Sequence, residues 1–500
     1  MFARLLASAA LAAALSSAAL AHDGVLDVVA PFEIKGADPV TSGNVYIKMD
    51  VAETLVNVDA AGHLMPGLAT GWQVSADGLE WRFHLREGVR FHDGSLFTAE
   101  AAAHALTIAR AKPGLLETAP ITGIVADGGD LVVRLSEPFA PLPAFFSEYR
   151  SLIFAPAAYA ADGSVTAVIG TGAYRVTKLE APLRLEAEAF PDYWGAAPGV
   201  SRASYQAVGR AETRALLAES GDADYVFNLD PASTTRLASV NTVDILTVPV
   251  PRTLLLKVNA GHPALSDPRT RRALSMAIDR EGLAQAVLRF PAGGTQIFAP
   301  SVPDWHSDAL DPLTYDPEAA RALLAELGWQ PGPDGILTRN GQRLSLTLTT
   351  FPDRPELPLS AAVLQQMFAD VGAEMTINST NSSEIPVRHA DGTLDLALFN
   401  RNFALVPDPL GTLLTDYAPG DAWGAMNWDN SEFIALIRGL ARGEGGQAAR
   451  DRAVAILQAD LPVIPIAWYQ QSAAVSKGIT GAVIDPYERN IGLKQIRWAE

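Results

Sequence analysis

The 500-residue chain contains no cysteine. That excludes a disulfide framework, a cysteine nucleophile and the thiol through which a bacterial lipoprotein would be lipid-anchored at its new N-terminus. Histidine is sparse: eight residues, at 22, 63, 84, 92, 104, 262, 306 and 389, include no i, i+4 pair, so no preformed structural zinc site is expected. His84 and His92 sit in turn-and-strand motifs and read as hydrogen-bonded scaffold. P-loop, His-Glu-x-x-His and Gly-x-Ser-x-Gly patterns are missing, so nothing positive supports catalysis. Internal repeats and low-complexity tracts are missing too. Later apolar runs such as 461–469 are short and broken by Pro462 and Pro465, too short to cross a bilayer.

What is present begins with residues 1–21, where Arg4, an apolar run and the small-x-small end Ala19-Leu20-Ala21 have the form of a secretory signal peptide. The run is roughly 15 residues, mostly alanine, against the ~20 strongly apolar residues of a membrane-spanning helix. Cleavage would leave His22 at the mature terminus, where its amine and ring could chelate a metal; a free, mobile terminus is the simpler reading. Together with the absent cysteine this predicts a soluble protein free in a bacterial periplasm. At 48% hydrophobic and 19% charged the chain is long enough for two or three domains with sizeable cores. The net charge of −18 disfavours nucleic acid and anionic membranes as partners, so an anionic ligand needs a local basic pocket.

Strand and helix patterns alternate along most of the chain. Residues 252–259 read as a strand, followed by a helix over 270–280 with Leu274, Ala277 and Ile278 at helical spacing. Asp316 and Pro317 mark a helix start that runs to about Leu327 and stops at Gly328. Leu344, Leu346 and Leu348 alternate as in a half-buried strand, and 359–371 reads as the next helix. Over about 60–190 the texture differs: strands at 81–85, 131–135 and 173–179 are separated by Gly, Pro and Asp turns, as in an added α+β subdomain. After about Gln470 a strand-rich stretch with a turn at Asp485-Pro486 suggests a return to the first lobe. Crossings near Asn259 and Gln470 would form a hinge.

Six motifs, in order, carry a family resemblance: Met65-Pro-Gly-Leu-Ala-Thr-Gly-Trp72, Asp77-Gly-Leu-Glu-Trp-Arg-Phe-His-Leu-Arg86, Gly88-Val-Arg-Phe-His-Asp-Gly94, Ile169-Gly-Thr-Gly-Ala-Tyr-Arg175, Asp192-Tyr-Trp-Gly195 and the segment from Tyr315 to Trp329. They resemble the successive signatures of periplasmic solute-binding proteins of the peptide/nickel ABC-importer family (type II, family 5). The resemblance spans nearly the whole mature chain. It implies an α/β, two-lobed type II periplasmic binding protein with an extra α+β subdomain in the first lobe. The expected division is a signal peptide at 1–21, a first lobe at 22–258 containing the subdomain, a second lobe at 259–469 and the return at 470–500. Most motif residues have structural explanations: Gly170 and Gly172 suit a tight turn, Trp72, Trp81 and Trp194 suit burial, and Asp93-Gly94 is a turn signal. Gly170-Thr-Gly172 lacks the third glycine and following helix of a dinucleotide fingerprint.

Phe298-Ala-Pro-Ser-Val-Pro303 and Arg388-His-Ala-Asp-Gly392 bring the chain nearer to the nickel-chelate branch. There an arginine before an Ala-Pro strand end binds carboxylates of an organic chelator, and Arg150 matches it by resemblance; a planar guanidinium fork suits a carboxylate. A salt bridge within the protein is the alternative use of that arginine. The chain departs from the branch at Lys112 and Leu115, in place of an arginine and a tryptophan, and at Phe403 and Pro407, in place of Trp and Tyr. The histidine expected after Asp408-Pro409 is absent from 410–426. The peptide branch carries an acid before the same Asp-Pro to hold the ligand's ammonium, where this chain has Arg401 and then Phe403-Ala-Leu-Val-Pro407; Asp416 or Asp421 could take that role. The expected pocket therefore combines Arg150 and Lys112 from the first lobe, Arg401 and Asn402 from the second, apolar walls of Tyr46, Phe403 and Trp423, and Arg489 from the return. The expected function is capture of a small anionic ligand, a nickel or other metal chelate included, for an ABC permease. A di- or oligopeptide ligand is the alternative, and a periplasmic enzyme or folding factor a further one. No cofactor is expected beyond nickel inside a bound chelate. The expected partners are the permease's transmembrane subunits, and the expected state is a monomer.

Overall fold

The computed structural model describes residues 23–499 except 353, 355, 404–405 and 419–422, so the signal peptide, His22 and Asp421 lie outside the described residues. The backbone of the fold is a mixed ten-stranded sheet. Its order is Glu374–Ser379, Ser345–Thr350, Leu396–Asn402, Val243–Val258, Val463–Ser476, Tyr225–Phe227, Val25–Ala30, Arg202–Ala207, Arg184–Ala189 and Tyr174–Glu180. The two central strands, 16 and 14 residues long, run antiparallel through both halves of the sheet.

Their ladder slips between Val250 and Thr253 and again between Leu254 and Leu255. Proline explains both places, because it donates no ladder hydrogen bond: Pro251 lies inside the first slip, and Pro465 faces Leu255 at the second. The irregularity in the first crossing strand thus stands at Val250–Thr253, upstream of Asn259. On the second strand Trp468 and Tyr469 lie opposite it, next to Gln470.

Each half has its own core. Leu254, Leu256, Leu274, Ile278, Leu324, Leu348, Leu364 and Phe368 pack on one side. Leu26, Tyr46, Phe154, Tyr174, Tyr205 and Tyr225 pack on the other, joined there by Ile484, Ile491, Leu493 and Ile496 from the C-terminal stretch. The return to the first half is therefore direct packing. Local signals behave as expected. Asp267 caps Pro268–Met276 and Asp316 caps Pro317–Glu326, which ends before Gly328 at φ +86°.

The segment of distinct texture holds a four-stranded antiparallel sheet, Ala69–Val74, Glu80–Leu85, Asp130–Leu135 and Ile121–Asp127, with helix Ala99–Arg110 against it and Phe83, Leu106, Leu131 and Phe146 in its core. The third strand read from that segment, now Tyr174–Glu180, is instead the edge of the large sheet, because its antiparallel partner Arg184–Ala189 continues into it. Trp194 also differs from expectation. It is 37% exposed, covered by the Arg86 guanidinium at 4.1 Å and donating through Nε1 to Glu53 at 2.9 Å. Among the described residues no helix is long and apolar enough to cross a membrane.

Candidate ligand-binding cleft

Where the halves of the sheet meet, charged side chains from four separate stretches converge. Lys48 closes helix Pro39–Lys48, Arg252 sits at the proline-induced slip, Arg354 and Glu356 precede and open helix Glu356–Asp370, and Glu488 lies in the turn that Asp485 starts. Arg252 Nη2 donates to both Glu488 oxygens at 3.0 and 2.8 Å, with the two side chains only 10% and 14% exposed. Asn402 donates to the same carboxylate at 3.5 Å. Gln471, with its amide oriented to satisfy both neighbours, donates to it at 3.0 Å. Glu356 accepts from the Tyr469 hydroxyl at 3.0 Å and from Asn400 at 3.2 Å.

The cations differ in how far they are engaged. Burial pushes the Lys48 ammonium down to about 8, while Glu488 and Asp485 oppose the shift. It lies 5.4 and 5.7 Å from the Phe32 and Phe227 rings. Burial and then the charge of Arg252 push Arg354 below the ordinary guanidinium value, with Glu356, Tyr469 and Glu488 acting in the opposite sense. Among the described residues no hydrogen bond or ion pair engages its guanidinium. A fork of donors without a hydrogen-bond acceptor among the described residues is suited to an incoming carboxylate.

The residues read from sequence fall elsewhere or are already engaged. Arg150 is paired with the fully buried Glu148 and rests on the Tyr149 ring at 4.9 Å. Lys112 is paired with Asp38. Arg401 grips the buried Asp416 through two bonds of 2.6 and 2.7 Å, so that carboxylate is engaged as well. Tyr46 is wholly buried and donates to the Gly36 carbonyl, which makes it core rather than wall. Phe403 packs edge-on to Phe298 at 4.9 Å and Trp423 to Phe399 at 5.4 Å. Arg489 is buried, donates to the Ser147 carbonyl and is pushed down to about 10 by that burial. Of the set, Asn402 contacts the Arg252–Glu488 pair. Sequence reading did not single out Lys48, Arg252, Arg354 or Glu488, the charged groups that converge here. The only local signals were the Pro-flanked Asp-Arg-Pro-Glu run at 353–356 and the turn at Asp485-Pro486.

No group of three or more His, Asp or Glu able to hold a metal ion occurs among the described residues. His84 bonds Asp130 at 2.9 Å and His92 bonds the Gly172 carbonyl at 3.0 Å, the scaffold use expected of them.

Comparison with known proteins agrees with this architecture. The nickel-binding periplasmic protein of Escherichia coli K12 is 29% identical over 433 residues, 80% of each chain. The dipeptide-binding protein of the same organism is 25% identical over 466 residues, 85% of this chain and 84% of the relative. The crystal structure of NikA from Brucella suis in complex with Fe(III)-EDTA superposes with a TM-score of 0.86 at 22% identity, over 95% of this chain and 99% of that one, which establishes the two-lobed type II fold. The model for bacterial extracellular solute-binding proteins, family 5, matches residues 63–424, and this chain belongs to that family.

Proposed function

We propose that the protein is the periplasmic solute-binding component of an ABC importer, and that it closes on a small ligand through a carboxylate held by Arg354. The Arg354 guanidinium, beside Arg252, Glu356 and Glu488 and with no hydrogen bond or ion pair among the described residues, carries this reading. Arg150, Lys112 and Arg401, which would otherwise share the task, each face an internal carboxylate. A metal chelate bearing carboxylates fits, in line with the names of the relative from Escherichia coli and the structure from Brucella suis. A peptide is the second reading, favoured by Glu356 and Glu488 standing near Arg354, where a ligand ammonium would find a counter-charge. Contacts available only when both lobes meet would turn binding into closure and closure into a signal for a permease.

The experiment is a thermal-shift screen of residues 22–500 against nickel with histidine or carboxylate chelators, Fe(III)-EDTA, and di- and tripeptides, followed by calorimetric titration of the ligands that stabilise. At 100 times its dissociation constant a ligand adds ~2.7 kcal/mol of stability. Arg354→Ala is expected to weaken binding of that ligand by roughly 10- to 100-fold, the worth of a charge-assisted hydrogen-bond pair, with an unchanged melting temperature. Arg150→Ala is expected to lower the melting temperature, because it leaves buried Glu148 unpaired. Equal affinity in Arg354→Ala would remove that residue from the site.

A further inference from the structure

The Glu488 carboxylate is where both halves of the molecule meet. Asp485 builds the turn that presents it: its side chain accepts from the N–H groups of Tyr487 at 2.9 Å and Arg489 at 3.1 Å, and its carbonyl from that of Glu488 at 2.8 Å. These bonds hold Glu488 at φ +56°, a left-handed conformation that residues with a side chain seldom adopt and that persists only where the surroundings impose it. The turn is fastened to the first half through Ile484 and Ile491 in that half's core and through the Tyr225 hydroxyl, which donates to Val483 at 2.9 Å.

What Glu488 reaches belongs to the other half and to the crossing strands. Arg252 and Asn402 are cross-strand partners at the edge of the second half, and Gln471 lies on the second crossing strand. All three donate to this one carboxylate. Lys48 from the first half and Arg354 from the second add attraction through space. Separating the halves would strip partners from an arginine and a glutamate that are both nearly buried, which is costly because neither charge is then compensated.

We propose that Glu488 is a positioning residue that latches the lobes, an internal anion that occupies Arg252 and keeps the cleft together when it holds no ligand. One consequence rests on the function proposed above: with Arg252 neutralised from within, a ligand's carboxylate is directed to Arg354. The latch itself does not depend on what the ligand is.

The absence of cysteine allows a direct test. Cysteines introduced at Leu183 and Val387, exposed on the first and second halves at 53% and 55%, take spin labels for distance measurement by pulsed electron resonance on the ligand-free protein. Glu488→Gln is expected to raise the population with long inter-label distances about tenfold, and Glu488→Asp, which keeps the charge, to fall between it and the parent. Arg252→Gln, with the same labels, should repeat the Gln result and covers the case in which Glu488→Gln does not fold. A folded Glu488→Gln or Arg252→Gln variant with the parent's distance distribution would overturn the latch. Arg354→Ala, which removes a through-space attraction and no hydrogen bond to Glu488, should shift the distances far less than Glu488→Gln. Loss of ligand binding in Arg354→Ala with unaltered distances in Glu488→Gln would reject the latch and keep the binding reading, and the converse would do the reverse.

Discussion

At the scale of single residues, charge type was legible and charge partner was not. Arg150, Lys112 and Arg401 were expected to hold an anionic ligand, and in the structure Glu148, Asp38 and Asp416 pair with them from within. Two of those partners lie far away in sequence or come from a different element, so no local pattern announces the pairing. His92 shows a residue whose role was read correctly and whose energetics needed burial. Its ring bonds the Gly172 carbonyl, Nδ1 finds no partner among the described residues, and burial pushes the imidazole down to about 4. In the unfolded chain an imidazole binds its proton near ~6.5. Between pH ~6.5 and about 4 the unfolded state therefore holds a proton that the folded state lacks. The contribution of His92 to stability is complete above ~6.5 and is lost as pH falls, by up to roughly 3 kcal/mol. His92→Gln should melt at a lower temperature at pH 7 but show a shallower decline from pH 7 to 4.5. A decline as steep as the parent's would assign the acid sensitivity to other groups.

At the scale of elements, caps and periodicities predicted helices well because they act within one turn of chain, as Asp267 and Asp316 show. Strand partners were less legible, since hydrogen-bonding partners are chosen across space: Tyr174–Glu180 has the alternation of a strand in either sheet. The glycines of Gly170-Thr-Gly172 were expected to serve a tight turn, and the structure gives a different reason. A Cβ on Gly172 would stand 2.1 Å from the Asp50 carbonyl oxygen, and one on Gly170 2.2 Å from that of Val51. Two backbone segments pass so closely that only hydrogen fits between them. Gly172→Ala should therefore cost about 3 kcal/mol, measured by denaturant unfolding. A cost below about 0.5 kcal/mol, the range of ordinary surface changes, would mean that the segments can separate freely.

At the scale of the whole molecule, the two halves are coupled by more than the crossing strands. The subdomain's Leu115 and Phe145 share one apolar core with Leu410, Leu413 and Tyr417. Gly411 lets the Phe145 ring approach to within 2.8 Å of where a Cβ would stand, and the Ala140 N–H donates to the Ala441 carbonyl at 2.7 Å. A core shared in this way predicts one cooperative unfolding transition by calorimetry, with calorimetric and van't Hoff enthalpies in agreement. Two resolved transitions would mean that this seam is open in solution and that the lobes unfold independently.

By itself the sequence determined the family, through motifs spread along nearly the whole chain, and the alternation of helices and strands, through periodicity and caps that need only neighbouring residues. Only the tertiary structure decided which cations are neutralised and by which carboxylates. That outcome depends on carboxylates approaching from residues up to 236 positions away, as Glu488 approaches Arg252, and on burial that removes water from between them.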